Sequence, residues 1–235
     1  FSATHWSLVL QAGQTDLAGA AAALERLCRT YWYPLYAFIR RRGSSPHAAE
    51  DLTQAFFEFL LENETLKQVD RQKGKFRNFL LAALNNFLAN EWDKRQTLKR
   101  GGRWPLHSLD ELVAGGLYLH EPVEWLTPEK LFERQWALVL LKQVFARLHQ
   151  EYLASGKGAL FVKLEPALTG EVTAGDLSRW AAELDMSAGA VNVALHRMRR
   201  HFGRLLRSEI AHTVSRPEEI DEEIRHLFAA IALAP

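Results

Sequence analysis

The stretch AAELDMSAGAVNVALHRMRRHFGRLLRSE, residues 181–209, decides how this chain is read. Val191, Leu195, Met198, Phe202 and Leu205 recur every three or four positions, the period of one face of an α-helix. Before that stripe comes a polar break at Asp185 to Ser187, with Ser187 placed as the helix N-cap, and upstream Thr173 is placed to cap a helix through DLSRWAAEL. Two helices joined by so short a turn have helix-turn-helix spacing. Small Ala181 lets crossing helices approach, and Trp180, Leu184, Met186, Val191 and Ala194 fall where apolar contacts between them are needed. Asp185 stands at the turn position where Gly is commonest, and Asp tolerates a left-handed backbone better than most residues.

The stripe leaves Asn192, His196, Arg197, Arg199 and Arg200 on the outer side, with Arg204 and Arg207 continuing the basic run. A solvated face is the ordinary reading of such a run. Here one sign of charge persists over several turns, which costs about a few tenths of a kcal/mol per neighbouring pair unless a polyanion answers it. DNA is therefore the favoured partner. Asn192 and His196 are placed to reach base edges in a major groove, while Ser187 and the arginines Arg197, Arg199, Arg200 and Arg204 are placed for phosphates or guanine.

At 235 residues, 48% hydrophobic and 24% charged, the chain has room for one large globular domain or two small ones. Its net charge of +1 hides local asymmetry: basic residues cluster at 94–103 and 197–207, whereas the segment after Pro217 reads EEIDEE. Cys28 has no second cysteine to pair with, and neither a long apolar run nor a charged-then-apolar leader points to membrane or export. A reducing cytoplasm is the expected compartment, with no membrane partner.

The rest of the chain reads as helices, so the expected class is all-α. Asp16 caps a first helix carrying Leu24, Leu27, Cys28 and Tyr31, and YPLYAFIRRR (33–42) forms a second, with Pro34 in its first turn and Gly43 past its end; the two are expected to pair as a hairpin. Cys28 is expected to be a small buried residue. PHAAEDLTQAFFEFLLEN buries Ala49, Leu52, Phe56 and Leu60, and KFRNFLLAALNNFLANEWDKR buries Phe76, Leu80, Ala83 or Leu84, Phe87 and Leu88. Paired glycines, prolines and a lost period mark 101–126 as a linker. Thr127 and Pro128 then open a long helix carrying Leu131, Leu138, Leu141, Val144, Phe145, Leu148 and Tyr152, followed by the shorter ALFVKLEPAL. The expected domains are 1–100, 127–213 beyond the linker, and a C-terminal amphipathic helix within 214–235.

No enzyme chemistry, cofactor or metal is expected. The nine histidines lack ligand spacing, and no phosphate loop or nucleophile elbow appears. His201 and His212 are read as facing phosphate or solvent. The carboxylates of EEIDEE suit the N-terminus of a helix whose stripe, Ile220, Ile224, Leu227, Phe228 and Ile231, is expected to dock on the helix-turn-helix or on a regulator.

Taken together, THWSLVL (4–10), YWYPLYAFIRRRG (31–43), AEDLTQAFFEFLL (49–61), KGKFRNFLLAALNNFLANEWDKR (73–95) and DLSRWAAELDMSAGAVNVALHRMRR (176–200) resemble bacterial RNA polymerase sigma factors of the extracytoplasmic-function (ECF) group, over nearly the whole chain. The resemblance implies two helical domains, a region 2-like bundle and a region 4-like helix-turn-helix, joined by the linker. It implies core RNA polymerase and promoter DNA as partners, with an anti-sigma factor or another regulator as a further one. Asp51, Gln54 and Glu58 would meet the polymerase clamp. Lys73, Lys75, Arg77, Asn85, Asn86, Asn90, Lys94 and Arg95 would bind and open the minus-ten element, the loop 63–75 forming the lip of a pocket for an unstacked base. The 187–204 surface would read the minus-thirty-five element. Asn86 matches a common Asn of the family, whereas Asn90 stands where Asp is usual. Phe76 and Phe79 read as core, and Trp92 fits either core or a stacking platform. Acidic groups at 109–112, with Glu121 and Glu124, would follow nucleic acid paths through the polymerase, although a plain spacer looks similar. A dimeric helix-turn-helix regulator that acts without polymerase, and a sigma-mimicking decoy, are the competing readings.

Overall fold

Leu27, Tyr31, Leu35 and Phe38 continue one buried stripe at spacings of four, four and three, and the helix they define does not stop at Pro34. A computed structural model describes residues 17–62, 75–98, 125–170, 172–214 and 216–232, and in it α1 runs unbroken from Leu17 to Arg41. The expected hairpin of two helices is thus one helix. Proline inside a helix costs about 3 kcal/mol, and burying large side chains on both sides of it, at about 1.5–3 kcal/mol each, outweighs that cost. Its end follows the sequence signal: Gly43 takes φ +94° and donates its N–H to the Arg40 carbonyl at 3.0 Å. Cys28 is half-buried, and burial pushes its thiol up to about 11.

Ser45 accepts the Ala48 N–H at 3.3 Å and opens α2 (Pro46–Glu62), whose Ala49, Leu52, Phe56 and Leu60 are buried as their spacing predicts. Helix α3 (Phe76–Leu98) buries Phe76, Leu80, Leu84 and Phe87, so Leu84 rather than Ala83 is the deep residue, and Leu88 is half-buried. Aromatic edges lock these helices together: Tyr31 meets Phe76 with ring centroids 5.4 Å apart, and Phe56 meets Phe87 at 5.6 Å.

Helix α4 (Pro128–Ala154) starts where Thr127 accepts the Lys130 N–H at 3.3 Å. Its fully buried residues include Leu131, Phe132, Trp136, Ala137, Val144 and Leu148, a broader stripe than the one read from the sequence, and Leu138 is exposed. After α4 come α5 (Gly158–Leu164), a 3-10 turn (Glu165–Leu168), α6 (Ala174–Glu183), α7 (Ala188–Ala211), a second 3-10 turn (Pro217–Glu219) and α8 (Ile220–Ile231). The described residues contain no strand, and none of their helices is long and apolar enough to cross a membrane.

Two compact units emerge, one holding the residues up to Leu138 together with those from Ala211 onward, the other Val139–Ile210. Packing therefore parts the chain within α4 and α7, whereas composition marked 101–126; most of that stretch, 101–124, lies outside the described residues. The start of α4 belongs with the first helices because Leu126 and Leu131 share a buried cluster with Ala37. Helix α8 also falls in this first unit, whereas its stripe was expected to dock on the helix-turn-helix or on a regulator.

The second unit contains the helix-turn-helix. Thr173 accepts the Asp176 N–H at 3.2 Å while the Asp176 carboxylate accepts the Thr173 N–H at 3.1 Å, a reciprocal capping box. At the far end of α6 the Met186 N–H donates to the Ala181 carbonyl at 2.9 Å, which places Asp185 at φ 51°. Ser187 then accepts the Ala190 N–H at 3.1 Å and starts α7. Trp180 and Ala181 from α6, and Val191, Leu195 and Met198 from α7, are buried.

Because Asp185 is left-handed, Asp185→Gly should hold or slightly raise stability in urea unfolding, while Asp185→Val should lower it by about 1–2 kcal/mol. The Thr173 hydroxyl and backbone N–H hold the Asp176 carboxyl below the usual range. Its stabilising share is present above the unfolded-state pKa and lost as pH falls through the lower folded value. An NMR pH titration should find Asp176 ionising lower than ordinary aspartates, and Thr173→Ala should return it toward them.

Candidate nucleic-acid interface

A helix that buries Val191, Leu195, Met198, Leu205, Leu206 and Ile210 must present its other side to solvent. On α7 that side carries Asn192, His196, Arg197, Arg200 and Arg204, all exposed, and Ser187 is exposed at the helix mouth. Phe202 is half-buried against Phe145, with centroids 4.8 Å apart, which holds the helix from behind. Arg199 differs from its neighbours: its Nε and Nη2 donate to the Ala167 carbonyl at 3.3 and 2.8 Å. It braces α7 against the 3-10 turn while staying exposed, so this one cation of the set is already tied to the protein's own backbone. Val193, 49% exposed, lies one turn from His196 and Arg197 and offers the outer face an apolar contact that the sequence reading missed. A Val outside the buried stripe was the available signal. His201, expected to face phosphate or solvent, pairs with Glu151 at 2.7 Å, and His212 is half-buried.

In the first unit, Asn85, Asn86, Asn90 and Lys94 are exposed along α3, as expected, with Lys94 paired to Glu91 at 2.8 Å. Trp92 is 66% exposed, which removes it from the core and leaves the stacking alternative. Arg42, at the end of α1, donates to the Asn85 side-chain oxygen at 2.6 Å and so joins this surface; its distance in sequence hid it. Phe76 is core, and Phe79 is half-buried and stacked on it with centroids 5.9 Å apart. Lys73 and the Arg95 side chain lie outside the described residues. On α2, Asp51 and Glu58 are exposed and Gln54 half-exposed, with the Gln54 amide donating to Glu58 at 3.0 Å.

Lys75 and Arg77 stand apart from the other cations of that set. Arg77 is 4% exposed, its guanidinium stacks over Trp136 with the carbon 4.7 Å from the ring centroid, and it forms an ion pair with Glu223 of α8. Lys75 Nζ lies 2.6 Å from the same carboxylate, which is fully buried. Burial pulls the Lys75 and Arg77 pKa values down, Arg77 reinforcing the effect on Lys75, while Glu133 favours the charged form of both. Burial likewise pushes the neighbouring Tyr31 hydroxyl far up. Glu133 is itself 3.3 Å from His226 of α8. Arg77 is buried and Lys75 half-buried, with a carboxylate remote in sequence paired to both. Among the described residues, no group of three His, Cys, Asp or Glu side chains is placed to hold a metal ion. Compared with known proteins, the chain matches no family model, no curated protein and no solved structure.

Arg199→Ala should cost about 1–2 kcal/mol in urea unfolding, because it deletes a charge-assisted bond to a backbone carbonyl, whereas Arg200→Ala, at an exposed position on the same helix, should leave unfolding within about 0.5 kcal/mol of wild type.

Proposed function

We propose that this chain is a bacterial sigma factor of the ECF group, which binds core RNA polymerase and directs promoter-specific initiation. The observation that carries this reading is the exposed, one-signed face of α7, set behind a left-handed turn at Asp185 in a capped helix-turn-helix. A long basic face on a helix anchored this way suits insertion into a duplex groove, with Asn192 and His196 at base edges, Val193 against a thymine methyl, and Arg197, Arg200 and Arg204 at phosphates or guanine.

The other half of the reading rests on the described residues of the first unit together with the family resemblance of 49–61 and 73–95. Asp51, Gln54 and Glu58 form a polar patch for basic groups of the clamp. Arg42, Asn85, Asn86, Asn90, Trp92 and Lys94 combine charge, amides and one exposed aromatic, the ingredients for holding an opened strand. In this reading the chain acts by binding, in the bacterial cytoplasm, and leaves the chemistry of RNA synthesis to the polymerase. The region 2-like and region 4-like division of labour belongs to the same proposal.

Run-off transcription with purified bacterial core polymerase and a pool of upstream fragments tests it: discrete transcripts should appear only when the chain is added. Tight duplex binding by a dimer of the chain, with no transcripts, would instead identify a polymerase-independent regulator, and clamp binding without initiation a decoy. Asn192→Ala or His196→Ala should relax preference at particular minus-thirty-five positions by about 1–3 kcal/mol, measured by competition binding. Arg200→Ala or Arg204→Ala should weaken all sequences alike and reduce the salt slope by about one. Asp51→Lys or Glu58→Lys should impair core binding in a pull-down while circular dichroism stays unchanged.

A further inference from the structure

We propose that α8 is an internal clasp that occupies Lys75 and Arg77 in competition with DNA phosphates, and that the chain is held in a masked state until α8 is released. The inference rests on the sigma-factor reading, which assigns both cations to the minus-ten strand.

Three observations carry it. First, the occupant is chemically a phosphate mimic: one fully buried carboxylate, Glu223, takes both the half-buried Lys75, at 2.6 Å, and the buried Arg77. Second, the surrounding segment repeats the sign, with Glu218, Glu219, Asp221 and Glu222 preceding Glu223 on one short stretch. Third, the attachment is local and separable. Helix α8 has 12 residues, too short to be stable in water by itself, and its docking depends on Glu223, Leu227 and Ala230 together with the His226–Glu133 pair at 3.3 Å. Undocking such an element is a partial opening and leaves the α1–α3 core in place. The opened state rehydrates Lys75 and Arg77 and offers both to a polyanion, so DNA shifts the equilibrium by its differential affinity for that state. Because the clasp is tethered, its effective concentration near the two cations is high, and a free anion displaces it only when multivalent. Single-stranded DNA meets that condition.

The test uses the full chain, with a fluorescent oligothymidylate as the probe. Wild type, Glu223→Gln and Leu227→Ala are compared by anisotropy, with amide exchange of α8 followed in parallel and the exposed Glu218→Gln as the charge control. Both clasp variants should speed exchange in α8 and bind the oligonucleotide about five- to tenfold more tightly, with the salt slope steeper by about 1.4, about 0.7 for each cation released onto a single strand. Glu218→Gln should behave as wild type. Leu227→Ala keeps every charge, so a matching gain from it separates undocking from simple loss of a negative group. Faster α8 exchange with unchanged affinity overturns the clasp, as does a gain in Glu218→Gln equal to that in Glu223→Gln. Run-off transcription by wild type keeps the two proposals apart. Initiation that is equal in wild type and both clasp variants removes the clasp alone, whereas a chain that neither binds the oligonucleotide nor supports initiation in any form overturns the sigma reading and the clasp with it.

Discussion

One buried carboxylate organises the first unit. Glu223 of α8 neutralises Lys75 and Arg77 at the start of α3, and through Arg77 the connection reaches Trp136 of α4 and, beside it, Tyr31 of α1. A charge without solvent is costly unless paired, so these groups constrain one another: each cation needs the carboxylate, and the carboxylate needs both cations. Trp136 lies under the Arg77 guanidinium and Tyr31 meets Phe76 edge-on, so the Arg77 side of the pairing is packed against aromatic rings.

The second unit is organised by backbone geometry instead. A capping box at Thr173 and Asp176, a left-handed Asp185 and the Ser187 cap set the beginning, the turn and the restart of two helices. The buried side of α7 then dictates its exposed side, and the resulting basic face is a consequence of helical period rather than of any long-range ion pair. Arg199 is the exception, held back by the Ala167 carbonyl. Both units offer surfaces with cations and amides, and among the described residues it is Lys75 and Arg77 of the first unit that an acidic segment meets.

Local signals were legible wherever the chemistry involved near neighbours. The caps at Ser45, Thr173 and Ser187, the glycine stop at Gly43, the inward faces of α2 and α3 and the left-handed turn at Asp185 all follow from residues within a few positions of one another, because caps and helical period are short-range properties. The exposed positions Asn85, Asn86, Asn90, Asn192, His196, Arg197, Arg200 and Arg204 were legible for the same reason: each is the complement of a stripe. Pro34 misled because its penalty is local, whereas the burial that outweighs it comes from packing of α1 on α2.

The amino-acid sequence by itself determined the all-helical character of the described residues, the register of their faces and the placement of the helix-turn-helix. Tertiary structure alone decided that α1 is continuous, that α8 packs in the first unit, that Trp92 is outside, and that Arg77 is buried and Lys75 half-buried against one glutamate. Helical period says which side of a helix is apolar, but a lysine or arginine reads the same whether it faces water, DNA or a glutamate 146 residues away in the chain. Only the fold brings that glutamate into place, and the energy of a buried ion pair depends on the partner and the exclusion of water, neither of which is a local property.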